Sequence, residues 1–114
     1  MWEYIATVRK IVDADTFDLE IDLGFGVLKK ERIRLAGVDA WEVRGEEREK
    51  GLVAKAFVEN CIPVGSVVTV LTMQEKGKYG RYIAEVTYGD ASRGKVNLSR
   101  ELVDEGHARW VEYK

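Results

Sequence analysis

Residues 16–23 (TFDLEIDL) set the frame for this chain. Phe17, Leu19, Ile21 and Leu23 fall on one side of the run, and Asp18, Glu20 and Asp22 on the other. A period of two predicts a strand with one face in a core and the other in water. The connections on either side are too short for anything but antiparallel neighbours. Upstream, Asp13-Ala14-Asp15 is a turn, because aspartates hydrogen-bond their own backbone there. It is preceded by residues 2–12 (WEYIATVRKIV), a loosely alternating run rich in β-branched and aromatic types. Downstream, Gly24-Phe25-Gly26 is a hairpin connection into a third strand, residues 27–37. In that strand Ile33, Leu35 and Gly37 share one face and Arg34 and Ala36 the other, while Lys29, Lys30 and Glu31 keep its early part exposed. Three strands so joined make a meander.

Beyond it, residues 42–51 (EVRGEEREKG) are a solvated loop leading into a helix that starts at about residue 46 or 50 and ends at 61. Val53, Phe57 and Cys61 share its inward face, joined by Leu52, Ala54, Ala56 and Val58, and Pro63 and Gly65 stop it. Residues 66–73 form strand four, 74–80 a polar loop and 81–88 strand five. A turn-rich stretch at 89–95 leads to a second helix over 96–105, with Leu98, Leu102 and Val103 inward and Gly106 at its C-cap. In the tail, Trp110 and Val111 are apolar enough to pack. The predicted class is α+β, mainly β: a five-stranded OB-fold barrel with a helix between strands 3 and 4 and a C-terminal helix. With no linker and no repeat, residues 1–114 are expected to form a single domain.

Composition narrows the functions open to such a barrel. The formal net charge is -2 over 114 residues, so broad electrostatic attraction to nucleic acid is excluded and any such contact must be local. A bound divalent cation would bring that formal total to zero. No apolar run approaches a membrane span, and residues 2–5 already read as strand rather than as a leader. Cys61, the single cysteine, fits a reducing compartment and the helix's apolar face. The expectation is an unprocessed cytoplasmic chain, with secretion left open, and a monomer with no membrane partner. His107 lacks Cys or His partners, which argues against zinc. Trp110 reads as packing rather than as a base platform.

The charged residues around the third strand make a poor core. Arg34 lies on it, Asp39 and Glu42 follow it, Asp13 and Asp15 occupy the earlier turn, and Arg81 opens a later strand. Their plain readings are turn chemistry for Asp13, a surface glutamate for Glu42 and surface ion pairs for the arginines. Brought together, they would make a site for a metal ion and a phosphate.

Three segments carry a named resemblance: Asp13-Ala14-Asp15-Thr16, Arg34-Leu35-Ala36-Gly37-Val38-Asp39-Ala40-Trp41-Glu42, and Lys78-Tyr79-Gly80-Arg81. In order and between the expected strands, they resemble the staphylococcal nuclease (thermonuclease) family, and residues 96–106 resemble its final helix. The resemblance implies a Ca²⁺-dependent endonuclease acting on DNA and RNA with little sequence specificity and leaving 3′-phosphate ends. Single-stranded or frayed substrate would be preferred. It implies Ca²⁺ held by Asp15, Asp39 and the backbone carbonyl of Ala40, oxygen donors that suit a hard cation, with Asp13 behind them. Glu42 becomes the general base or water-orienting group, and Arg34 and Arg81 the phosphate clamp. Lys78 and Tyr79 fall beside a terminal phosphate of bound nucleotide, and Tyr113 is a further candidate contact.

The chain departs from the family's pattern in several places. Ala14 stands where glycine is usual and Trp41 where proline is common. The loop 43–51 is shorter and more acidic than in the family's namesake. The competing expectations are a non-catalytic OB-fold module binding nucleic acid or a protein partner, and, more remotely, a binder of oligosaccharides or small anions.

Overall fold

Alternation becomes a sheet where it is expected. The computed structural model describes residues 2–74 and 82–111, without the side chains of Trp2, Met73 and Gln74. Strand β1 (Trp2–Asp13) pairs antiparallel with β2 (Thr16–Asp22), and β2 with β3 (Leu28–Leu35). Strand β5 (Val67–Gln74) lies on the other side of β1, and β6 (Tyr82–Asp90) on β5. Strand β6 then meets β3 in parallel register, Arg34 opposite Ile83, which closes five strands into the expected OB-fold barrel. Closure satisfies edges that an open sheet would leave unpaired.

The inward face of that barrel is the one the period of two selects. Phe17, Leu19, Ile33 and Leu35 are fully buried, and they join Val8, Val70 and Val86 in one core. Leu23 is the exception: β2 ends at Asp22, and Leu23 is exposed in the hairpin connection. Helix α1 (Arg48–Cys61) packs on β1, and α2 (Leu98–Asp104) seats Leu98 and Leu102 in the core. No helix among the described residues is long and apolar enough to cross a membrane.

Three short strands escape the alternation. Val38–Ala40 (β4) pairs with Ala108–Trp110 (β8), so Asp39 lies within a strand rather than beyond one. Gly94–Asn97 (β7) extends β6, and Val96 therefore belongs to a strand, not to the second helix. That helix starts only after Asn97, whose side-chain oxygen accepts the Arg100 N–H and caps it.

The face of α1 is also rotated from expectation. Its buried residues are Gly51, Ala54 and Val58, with Phe57 and Cys61 partly covered, while Leu52 and Val53 are exposed. Hydrophobicity favoured Val53, but close approach of backbone at Gly51 decides which side faces inward.

Across β2 and β3, Asp18 accepts a forked pair of hydrogen bonds from Arg32 at 2.7 and 3.1 Å. Those bonds hold the Asp18 carboxyl below its ordinary 3.8. A depressed carboxylate contributes stability above the unfolded-state value and loses it as pH falls through the folded-state value. Asp18→Asn should therefore lower stability at pH 7 by at most about 1 kcal/mol, the range for exposed pairs. Urea denaturation should show the gap between variant and wild type closing below pH 3.8.

Candidate nuclease site at the barrel rim

The β1–β2 turn delivers two carboxylates to one end of the barrel. A register shift between Ile11 and Asp13 bends the end of β1, and Thr16 falls opposite Arg34 on β3. Asp15 is buried, 7% exposed, and every donor around it is specific. Its Oδ2 accepts the Ala40 N–H at 2.9 Å and faces Arg34 Nη1 at 2.9 Å. Its Oδ1 accepts the Thr16 hydroxyl at 3.1 Å. Burial pushes the Asp15 carboxyl up from 3.8, and Arg34, the Ala40 N–H and Thr16 pull it back.

Arg34 also reaches Asp39: Nη2 lies 3.4 Å from Oδ1. One guanidinium thus touches carboxylates separated by much of the meander, and the expected convergence of Asp15, Arg34 and Asp39 is realised. Asp39 is half-exposed, and its other oxygen lies 3.6 Å from Arg109 Nη2, directly across the β4–β8 pair. In a strand, a residue's N–H and C=O point to the same edge. Ala40, whose N–H is turned to Asp15, therefore presents its carbonyl on that edge too.

Asp13 has a different task. Its Oδ1 accepts the Val43 N–H at 3.4 Å, and its Oδ2 lies 3.9 Å from Arg44 Nη2. The two turn aspartates therefore hold the segment 40–43 at both ends. Behind that segment the tail forms a second support. Trp41 donates its backbone N–H to the His107 carbonyl at 3.4 Å and its indole N–H to the Gly106 carbonyl at 3.5 Å, and Val111 donates its backbone N–H to the Gly37 carbonyl at 2.9 Å.

Glu42 sits between these anchors. Its side chain is exposed and makes no ion pair or hydrogen bond among the described residues, so it is available to solvent. Its backbone is fixed by Gly51: a Cβ there would stand 1.8 Å from the Glu42 carbonyl oxygen. The helix can lie this close to the loop only because residue 51 has no side chain. Gly51, Arg44 and Arg109 are the participants that sequence reading misses. For Gly51, a glycine in the first turns of a helix was the available signal, since glycine there is costly unless contact requires it. Trp41 settles with Lys50 Nζ 4.6 Å from its ring centre. His107 stacks on Phe57 at 4.7 Å. Lys78, Tyr79, Arg81 and Tyr113 lie outside the described residues.

The donors here are of the oxygen type that a hard divalent cation takes. Asp15 and Asp39 offer carboxylate oxygens, and Ala40 offers a carbonyl on the same edge. Against these two anions stand Arg34, which touches both, and Arg109, which faces the outer oxygen of Asp39. Among the described residues no three acidic, His or Cys side chains gather so that they could hold a metal ion. Two carboxylates and a carbonyl would leave most of a six- to eight-oxygen shell open to water and phosphate.

The family model for staphylococcal nuclease homologues matches residues 32–114. This chain belongs to that family. No curated protein matches it. The match takes in Arg34, Asp39, Ala40 and Glu42 of the nuclease-like rim. It begins after the Asp13–Asp15 turn, whose place in the site rests on the contacts with Arg34, Ala40 and Val43.

Gly51→Ala should cost about 1–3 kcal/mol in a urea titration, the range for an overpacked contact. Gly89→Ala, where a Cβ meets nothing within 4 Å, should change stability by less than about 0.5 kcal/mol.

Proposed function

We propose that this family member is a Ca²⁺-dependent endonuclease that hydrolyses phosphodiester bonds of DNA and RNA with little sequence specificity, leaving 3′-phosphate ends. The observation that carries the reading is the Arg34 guanidinium held between Asp15 and Asp39 at the barrel rim. A Ca²⁺ ion held by Asp15, Asp39 and the Ala40 carbonyl would offset the phosphodiester's charge and polarise it. Arg34, always charged and presenting paired donors, grips phosphate oxygens as negative charge builds on them. Glu42 orients the attacking water or takes its proton. Asp13, through Val43, keeps Glu42 where that water must lie. Arg81 completes the clamp, Lys78 and Tyr79 hold the neighbouring nucleotide, and Tyr113 is a further contact. Tyr79 stacking suits single-stranded or frayed substrate, and the active unit is a monomer.

One observation favours a second reading. Arg34 is already satisfied by two carboxylates, as it would be in an OB-fold module that binds nucleic acid without cutting it. Plasmid and single-stranded DNA incubated with Ca²⁺ or with chelator separate the two. The nuclease reading expects degradation that requires Ca²⁺. Glu42→Gln should lose activity by about a hundredfold or more with Tm unchanged, because its exposed side chain holds nothing in place. Arg34→Ala should lose activity and also about 3–5 kcal/mol of stability, since it strands a buried carboxylate. Binding without cleavage at every Ca²⁺ level would establish the second reading instead.

A further inference from the structure

Beside the rim lies a groove of about 790 Å³ that none of the residues assigned above accounts for. It adjoins the site through the sheet. Ala36, in the turn that follows β3 two residues beyond Arg34, lines it, as does Ile83, the register partner of Arg34. From there the groove runs past Trp110, over β7 and along α2. Its volume falls within the range of small-ligand sites.

The charges of this groove are unevenly committed. Arg93 is taken: it forks onto Glu101 at 2.7 and 3.2 Å and lies 3.5 Å from Asp90. Lys95 and Arg100 also line the groove, both exposed, and neither makes an ion pair among the described residues. Trp110 is 57% exposed, with two of its ring carbons 3.8 Å from where a Gly37 Cβ would stand, so the indole is only partly covered. Glu85 is the remaining acid in the groove. It lies on β6 two residues beyond Ile83, whereas the two cations lie on β7 and α2.

We propose that this groove is the track for the single-stranded nucleic acid flanking the scissile phosphate, with Lys95 and Arg100 on backbone phosphates and Trp110 stacked on a base. The inference rests on the nuclease reading and extends it: two unpaired cations and an open indole in one groove match the alternation of phosphate and base along a single strand. An otherwise acidic protein would thereby hold an anionic polymer through a local patch. The track makes affinity depend on substrate length, because a dinucleotide fills the rim while an octanucleotide also fills the groove.

The test is fluorescence anisotropy of end-labelled oligothymidylates, two and eight residues long, in chelator and across a salt series. Wild type should bind the octamer more tightly than the dimer. Lys95→Ala/Arg100→Ala should weaken the octamer at least tenfold and leave the dimer unchanged. Its slope of log affinity against log salt should fall by about 1.4, two phosphates at 0.7 each. Octamer binding should quench tryptophan emission in wild type and not in Trp110→Phe. A double variant that binds the octamer like wild type, with the same salt slope, overturns the track and leaves the nuclease reading standing. Wild type that neither binds the octamer in chelator nor cleaves it with Ca²⁺ overturns both.

Discussion

The buried Asp15 carboxylate is the point on which the rim depends. It is expensive to bury, and desolvation raises its pKa despite three donors. Those donors come from the first residue of β2, from β3 and from β4, so satisfying one carboxylate brings three parts of the chain together. Remove it and β4 loses its tie to the barrel on that side. The barrel itself would persist, because its closure rests on the β3–β6 pairing and an apolar core.

The same contacts that hold the rim together also set its charge pattern. Arg34 lies between the two carboxylates and Arg109 faces the outer oxygen of Asp39, so anionic and cationic groups alternate along the rim. Asp13 and Gly51 add precision without chemistry of their own. One fixes the Val43 N–H and the other lets α1 lie against the Glu42 carbonyl, so the exposed carboxylate springs from a backbone held on both sides. Arg34 is a structural tie first, joining β3 to the β1–β2 turn and to β4.

Much of this was legible in the sequence, and the remainder was hidden for identifiable reasons. The alternation at Phe17, Leu19 and Ile21 is long enough to fix face and register, and the barrel follows from it. Strands β4, β7 and β8 are three or four residues long and carry no readable period; their places are set by partners distant in the chain. Helix α1 was read by hydrophobicity, which favoured Val53, whereas backbone contact at Gly51 determines its face. Asp15, Arg34 and Asp39 were legible because charge at the end of an apolar strand has no place in a core. The Arg109 partner of Asp39 was not, because it depends on the β4–β8 register.

The most direct test of this account is amide hydrogen exchange at Ala40, followed by NMR in wild type and in Asp15→Ala. If Asp15 holds β4 to the barrel, the variant should lose protection at Ala40 while the amides of β1 and β5 keep theirs relative to global stability. Unchanged protection at Ala40 would contradict it, and would mean that the rim is held by the tail and β8 without the buried carboxylate.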